Sequence, residues 1–316
     1  MPTITIMLWN TQHLNDQNQK LPMSEAYEEK LDALVTAACD FSPDIIALFE
    51  VGTTARPNNQ LVKDLAGIYE LKASLDQDGG KKKNTTLGAM VFVANDIAGK
   101  FHEPYKVPLG SKGNRSTLLL QAEGGQLFAF CHANAHGPTA FEQVTDDIRF
   151  VGGNADLVFF GGDLNHQPGD SLAEVKVTNG NTMLRCLPGT CGFTHVSIRS
   201  SLSLAKAMYQ EVCRNTGGTP GMSESTFINN CMGTDVAWGD LAIPSLLDYA
   251  FIAEKCRWKS ACEASVQVTT LKFENKQLDH VYYFQKDKVY SQVQRIYRGK
   301  KLRSDHFPVI YEIEYP

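Results

Sequence analysis

Five polar residues stand where an apolar run stops. Asn10 follows Ile4-Thr5-Ile6-Met7-Leu8-Trp9, Glu50 follows Ile45-Ile46-Ala47-Leu48-Phe49, and His132 follows Leu127-Phe128-Ala129-Phe130-Cys131. Asp163 and Asn165 come after Leu157-Val158-Phe159-Phe160 and two glycines. Near the C-terminus the pair Asp305-His306 precedes another apolar run, Phe307 to Ile313. Strand ends converge on one edge of a packed sheet pair, so groups far apart in sequence can meet there on a rigid support. These residue types suit hydrolysis of a phosphodiester. That reaction builds negative charge on a pentacoordinate phosphorus. It needs a hard cation, hydrogen-bond donors and a group that orients the attacking water. Magnesium takes oxygen ligands, typically one or two carboxylates plus waters and the substrate phosphate. Asn10, Glu50, Asp163, Asn165, Asp305 and His306 are the candidates that offer such groups.

The elements that must position them read as alternating strands and helices. Residues 3–9 form a first strand. A helix starts near Ser24, a natural N-cap, with Tyr27, Leu31, Leu34, Val35 and Ala38 at helical spacing, and Ser42-Pro43 ends it. Residues 44–49 read as a buried strand that delivers Glu50, and 87–94 as another. Residues 116–121 and 127–132 pair through a turn at Gly124-Gly125. Pro138 opens a helix with Phe141, Val144, Ile148 and Val151 on one face, and 157–160 is a strand leading to Asp163. A loop-rich section is expected over about 168–247, with a helix near 201–214. Strands return at 249–252, 281–284 and 307–313. No repeat or linker divides the 316 residues, which predicts one continuous domain over 1–316 with the loop-rich section as an insertion.

Composition sets limits on function. A hydrophobic fraction of 43% and a charged fraction of 21% fit a globular domain with a sizeable core. The net charge of −5 argues against a non-specific nucleic-acid coat protein, whose binding rests on phosphate contacts by basic residues. An enzyme that needs carboxylates to hold a metal is compatible with it. Local basic stretches, Lys81-Lys82-Lys83 and Arg295, Arg298, Lys300, Lys301, Arg303, are candidate contacts, and solvated faces are the plainer reading. No segment is apolar and long enough to span a bilayer, and residues 1–6 lack the features of a signal peptide. A cytoplasmic location is therefore expected, or export by a non-classical route. Eight cysteines are present, six of them between Cys186 and Cys262. Cys186/Cys191 and Cys256/Cys262 could close small loops, but no CxxC pair suggests zinc, and the thiols are expected to be mostly reduced.

Leu8-Trp9-Asn10, Ile45-Ile46-Ala47-Leu48-Phe49-Glu50-Val51, Gly162-Asp163-Leu164-Asn165, Leu278-Asp279-His280 and Ser304-Asp305-His306-Phe307-Pro308-Val309 resemble the successive motifs of the endonuclease/exonuclease/phosphatase superfamily. They stand in the family's order and span nearly the whole chain. The resemblance implies an α+β fold: a four-layer α/β/β/α sandwich with two packed mixed sheets flanked by helices. It implies Glu50 as the main metal ligand, with Asn10 and Asp305 supporting the metal. Asp163 would orient or deprotonate water, Asn165 would donate to the scissile phosphate, and His306 would bind the phosphate while a carboxylate orients it. The metal would be Mg2+, with Mn2+ or Ca2+ as alternatives. His132 is similar to the histidine of the deoxyribonuclease, distending-toxin and sphingomyelinase branches, and Arg115 to a phosphate-gripping arginine of the first two. His136 is better read as a loop histidine. Phe49 departs from the family's usual glutamine before the metal-binding glutamate.

Taken singly, each residue has a plainer reading. Glu50 could be a loop residue, Asn10 and Asn165 turn formers, His306 a core histidine and Arg115 an exposed hairpin residue. Those readings would all have to hold at once, at matching motif positions. For the carboxylate that orients His306 there are two candidates. Asp279 has the more usual spacing to Asp305-His306 and is preferred; Asp248, in Leu247-Asp248-Tyr249-Ala250, resembles the distending-toxin version and is the alternative catalytic residue. If Asp279 holds that place, 253–277 forms an additional hairpin. The leading expectation is a divalent-metal-dependent nuclease acting on DNA as an endonuclease. A phosphatase or phosphodiesterase on phosphoinositide or sphingomyelin headgroups is the alternative, and a catalytically dead binding module is a third reading.

Overall fold

Along residues 3–8 every second side chain is apolar and buried, the signature of a strand packed on one face. The computed structural model describes residues 1–14, 23–52, 60–75, 88–102, 117–133, 138–154, 156–166, 174–176, 183–187, 195–198, 242–245, 247–263, 267–269, 294–302, 304 and 306–316. Strand β1 spans Thr3–Leu14, helix α1 Met23–Phe41, β2 Ile45–Val51, α2 Gln60–Leu65, β3 Tyr69–Leu75 and β4 Gly88–Ala94. There follow β5 Phe101–His102, β6 Leu118–Ala122, β7 Gln126–His132, α3 Pro138–Asn154 and β8 Asp156–Asp163. The C-terminal part holds β9 Glu174–Lys176, β10 Met183–Leu187, β11 His195–Ile198, β12 Ala242–Ser245, β13 Asp248–Ala253, β14 Arg257–Glu263, β15 Gln267–Thr269, β16 Gln294–Tyr297, β17 Lys300–Lys301 and β18 Val309–Glu314.

The chain divides into two units. The first comprises Met1–His195, Ser245–Val266 and Tyr297–Pro316; the second comprises Val196–Pro244 and Gln267–Ile296. Among its described residues the second unit contributes to the antiparallel pair of β15 and β16. The first unit holds two mixed sheets. One has the order β14-β18-β1-β2-β4-β3, the other β5-β6-β7-β8-β13-β10-β9. In each, the parallel pair (β1 with β2, β7 with β8) sits beside an antiparallel partner whose start lies at the same edge (β18 and β13). Within the section expected to be loop-rich, Glu174–Lys176 and Met183–Leu187 are strands of the second sheet, because β10 completes the hydrogen bonding of β13.

The sheets pack face to face. Ile4, Ile6, Leu8, Ile45, Ala47 and Phe49 of one share a core with Phe128, Phe130 and Phe159 of the other. Phe159 and Tyr311 meet edge to face across it, ring centroids 6.0 Å apart. Helix α1 covers the outer face of the first sheet. Its buried stripe is Lys30, Ala33, Leu34 and Ala37, whereas Val35, expected on the apolar face, is exposed. Helix α3 covers the second sheet with Val144, Ile148 and Val151, as the spacing predicts. The result is the expected four-layer α/β/β/α sandwich. Of the basic stretch near the C-terminus, Arg298 pairs with Asp40 and Lys300 with Asp32, both on α1. Cys186 and Cys256 are free thiols, so neither suggested small loop is closed by a disulfide. Burial pushes Cys186 up to about 12 and Cys256 up to about 11, which leaves both protonated and unreactive at neutral pH. Among the described residues, no helix is long and apolar enough to cross a membrane.

One buried acid ties α3 to its sheet. Asp147 accepts a hydrogen bond from the Thr117 hydroxyl at 2.8 Å. Burial pushes its carboxyl up to about 7, against the hydrogen bonds from Thr117 and Gln143 that hold it down. A carboxyl raised on folding binds a proton more tightly in the native state. Its contribution to stability is therefore full below the unfolded value, fades as pH rises, and is gone above the folded value. Asp147→Asn keeps an acceptor for Thr117 and removes the titration. The variant should gain on wild type by about 1.4 kcal/mol per pH unit between roughly pH 5 and pH 7, then level off. Denaturant unfolding of both proteins across that window is the check; parallel stability profiles would show the acid is not raised.

Candidate active site

The topology brings the strand ends together at one edge of the first unit. In the second sheet His132 lies opposite Asp163, and Asp163 opposite Asp248. Residues in one row across a sheet point to the same face, so the three side chains converge. In the first sheet Asn10 lies opposite Phe49, the residue before Glu50, and His306 enters just ahead of β18, which pairs with β1.

Local irregularities aim these groups. The β1–β2 register slips between Asn10 and Leu14, and the β2–β4 register slips between Phe49 and Val51. Gln12 and Glu50 both take positive φ there, 48° and 54°. Bulges of this kind redirect a side chain at a sheet edge. The Thr11 hydroxyl, buried between the two irregularities, donates to the Phe49 carbonyl at 3.0 Å. Asn165 also has positive φ, 50°, which asparagine tolerates. Its N–H donates to Asp163 Oδ1 at 3.1 Å and its Nδ2 to the Ala133 carbonyl at 2.8 Å. It is thus a turn former that is also held at the site.

Asp163 Oδ2 is the centre of the cluster. It accepts from Asn10 Nδ2 at 2.7 Å, with His132 Nε2 at 3.4 Å and His306 Nε2 at 3.7 Å. His132 Nε2 is also 3.6 Å from Glu50 Oε1. His306 Nδ1 is 2.7 Å from Asp248 Oδ2, both groups buried. A carboxylate accepts only, so the Nδ1 proton belongs on the ring and Nε2 is left facing Asp163. Burial pushes the Asp163 carboxyl up to about 7; His306 and the Asn10 hydrogen bond pull it down, while Asp248 and Glu50 push it further up.

The carboxylate on His306 is Asp248. Asp279, preferred from its spacing, lies outside the described residues; among those described, Asp248 is the carboxylate at Nδ1. The chain between Asp248 and His306 includes β14, which returns to pair with β18, so sequence distance is a poor guide to this contact. Asn10, Glu50, His132, Asp163, Asn165 and His306 lie together at this edge. Arg115, His136 and Asp305 lie outside the described residues, as do Lys81-Lys82-Lys83, the helix near 201–214 and the strand at 281–284.

Two residues that enter the sequence reading only as motif letters hold the site. The buried Ser304 hydroxyl donates to the Asn10 carbonyl at 2.7 Å and accepts from the His306 N–H at 3.1 Å. Trp9 Nε1 donates to the His306 carbonyl at 3.1 Å. The sequence carries a signal for the serine, since Ser304 stands two residues before His306.

The cluster suits a divalent cation. Glu50, Asp163 and Asp248 converge closely enough for the other two to raise Asp163, a repulsion that positive charge relieves. Donor atoms of Asp163, Asp248 and His306 lie within 4.8 Å of one another. The hydrogen bond between Asp248 and His306 occupies part of that donor set, which leaves Glu50 and Asp163 as the available carboxylates among the described residues of the cluster.

No family model matches the sequence, and no curated protein matches it. Solved structures do match, over whole lengths. Truncated TDP2 of Caenorhabditis elegans aligns at 13% identity over 99% of this chain and 98% of its own, with a TM-score of 0.52. A mannosyl-6-phosphatase of Bacteroides thetaiotaomicron aligns at 13% identity over 99% and 100%, with a TM-score of 0.53. An endonuclease/exonuclease/phosphatase from Bacteroides vulgatus aligns at 12% over 100% of both chains, with a TM-score of 0.52. The chain has the endonuclease/exonuclease/phosphatase fold.

Proposed function

We propose that this protein is a divalent-metal-dependent phosphoesterase that cleaves phosphodiesters, with DNA as the substrate and endonucleolytic cleavage as the activity. One observation carries the reading: two imidazole Nε2 atoms face a single buried carboxylate oxygen, at 3.4 and 3.7 Å, and one of those imidazoles is backed by a second buried carboxylate. A phosphodiester needs a base for water, donors for the phosphoryl oxygens and an acid for the departing oxygen.

Asp163 orients the attacking water and takes its proton. His306, oriented by Asp248 and protonated on both ring nitrogens in this step, donates from Nε2 to a phosphoryl oxygen. His132 donates to the phosphate or protonates the leaving oxygen, which a diester requires because its leaving group is an alkoxide. Asn165 donates its remaining amide hydrogen to the phosphate, and Arg115 adds a guanidinium grip. Glu50, with Asn10 and Asp305, would hold Mg2+ (Mn2+ or Ca2+ as alternatives), which would supply positive charge against the phosphate.

Supercoiled plasmid incubated with the protein and Mg2+, Mn2+ or Ca2+ should be nicked. No nicking with any of the three would remove DNA as the substrate. Phosphate release from a phosphoinositide or a sugar phosphate would then point to the monoesterase alternative, and headgroup release from sphingomyelin to a lipid phosphodiesterase. Asp248→Ala should lower kcat on whichever substrate is cleaved by about 10²-fold or more, as loss of a histidine-orienting carboxylate does. Asp279→Ala should leave kcat unchanged. The opposite pattern would return the orienting role to Asp279.

A further inference from the structure

Among the described residues, Lys30 is the one charged residue in the set of largest fully buried side chains, on the face of α1 that packs against the first sheet. Lysine is almost never buried unless its ammonium group has partners. Its Nζ donates to the Gln12 carbonyl at 2.5 Å. Gln12 holds left-handed φ in the bulge of β1. The Gln12 N–H donates to Asn10 Oδ1 at 2.9 Å, and Asn10 Nδ2 donates to Asp163 Oδ2 at 2.7 Å. The bonds to the Gln12 carbonyl and from its N–H flank one Cα, so they clamp both of its peptide planes. A side-chain amide is planar as well, so fixing Asn10 Oδ1 fixes the direction of Nδ2.

We propose that Lys30 is a positioning residue of the active site: by holding the left-handed Gln12 backbone it sets the Asn10 amide against Asp163. The device reaches from α1 to the reacting groups without Lys30 touching substrate. A glutamine with positive φ would otherwise relax toward the right-handed region, and Asn10 Oδ1 would lose the donor that orients it.

The activity arm of the test rests on the phosphoesterase reading; a second arm does not. Lys30→Met, Lys30→Arg, Asn10→Ala and the double variant Lys30→Met/Asn10→Ala are assayed on bis(p-nitrophenyl) phosphate at saturating Mg2+. Lys30→Met should lower kcat about tenfold to a hundredfold with KM within about twofold. Lys30→Arg, which still donates, should recover most of the loss. The double variant should be no slower than Asn10→Ala alone, because both changes break one chain of contacts. Additive losses would mean that Lys30 acts on stability and not through Asn10, and would overturn the proposal. Independently, the Asn10 side-chain amide signal in a ¹⁵N-labelled sample should shift in Lys30→Met and stay in place in Lys30→Arg. That signal is read even if wild type cleaves no ester, so failure of the phosphoesterase reading is told apart from failure of this one. An unmoved Asn10 signal in Lys30→Met overturns it. If Lys30→Met does not fold, Lys30→Gln takes its place, with the same expected results. If neither folds, the lysine is structural and the proposal falls.

Discussion

Replacing His306 with asparagine is expected to lower kcat on a phosphodiester by about 10³-fold while the protein still folds. The choice of asparagine follows from the geometry. The imidazole makes two contacts of different kinds: Nδ1 meets Asp248 at 2.7 Å, and Nε2 faces Asp163 at 3.7 Å. Asparagine keeps a donor near the Nδ1 position and has nothing where Nε2 was. Alanine would remove both and leave Asp248 buried without that partner. Breaking one side of a buried charged pair typically costs about 3–5 kcal/mol, so lost activity could then be confused with lost folding. The backbone of residue 306 is held independently of its side chain, by Trp9 at the carbonyl and Ser304 at the N–H. Hydrolysis of bis(p-nitrophenyl) phosphate, read beside a thermal melt, separates the two effects. Activity within about tenfold of wild type would show that Nε2 takes no part in the transition state. An Asp248→Asn/His306→Asn double variant should be no slower than His306→Asn, since Asp248 acts through the ring.

The second large effect is on the fold. Gly162→Ala is expected to destabilise the protein by more than about 4 kcal/mol, a range that a single substitution reaches only through a named structural conflict. Gly162 has φ of 150°, and a Cβ placed on it would lie 1.9 Å from the Cys131 carbonyl oxygen and 3.0 Å from Phe49 Cζ. The first obstacle is backbone, in the strand that carries His132, and cannot swing aside. Gly162 pairs with Cys131 in the parallel β7–β8 ladder, one residue before the His132–Asp163 row. Pushing those strands apart would also displace both catalytic candidates, so activity should fall with stability. Gly125 supplies the control. Its φ is 89° and nothing lies within 4 Å of where a Cβ would stand, so Gly125→Ala costs only the backbone strain of roughly 1–2 kcal/mol. Urea unfolding of the two variants decides the matter, and equal midpoints would contradict the steric argument.

Much of this site is legible without the fold. Asn10, Glu50, His132, Asp163 and Asn165 each end an apolar run, and a run that is buried on a sheet must deliver its next polar residue to an edge. Local periodicity carries that information, because strand burial alternates residue by residue. It also places α3, whose Val144, Ile148 and Val151 are buried. The same logic misplaces the buried face of α1. A lysine counts as polar in any pattern, so the stripe runs through Val35, which is exposed, and misses Lys30, which is buried. The carbonyl of Gln12, eighteen positions earlier in the chain, gives that ammonium a partner inside.

The choice between Asp248 and Asp279 shows where sequence stops. Both follow a leucine and precede an apolar strand-like run, and spacing to His306 favours Asp279. The contact is decided by β13 pairing with β8, which sets Asp248 opposite Asp163, and by the packing of the two sheets, which brings His306 to the same edge. The sequence by itself determined which polar groups stand at strand ends. Strand order, register and sheet packing decided which of those groups meet. These depend on hydrogen bonds and burial between segments tens to hundreds of residues apart, and no local pattern encodes them.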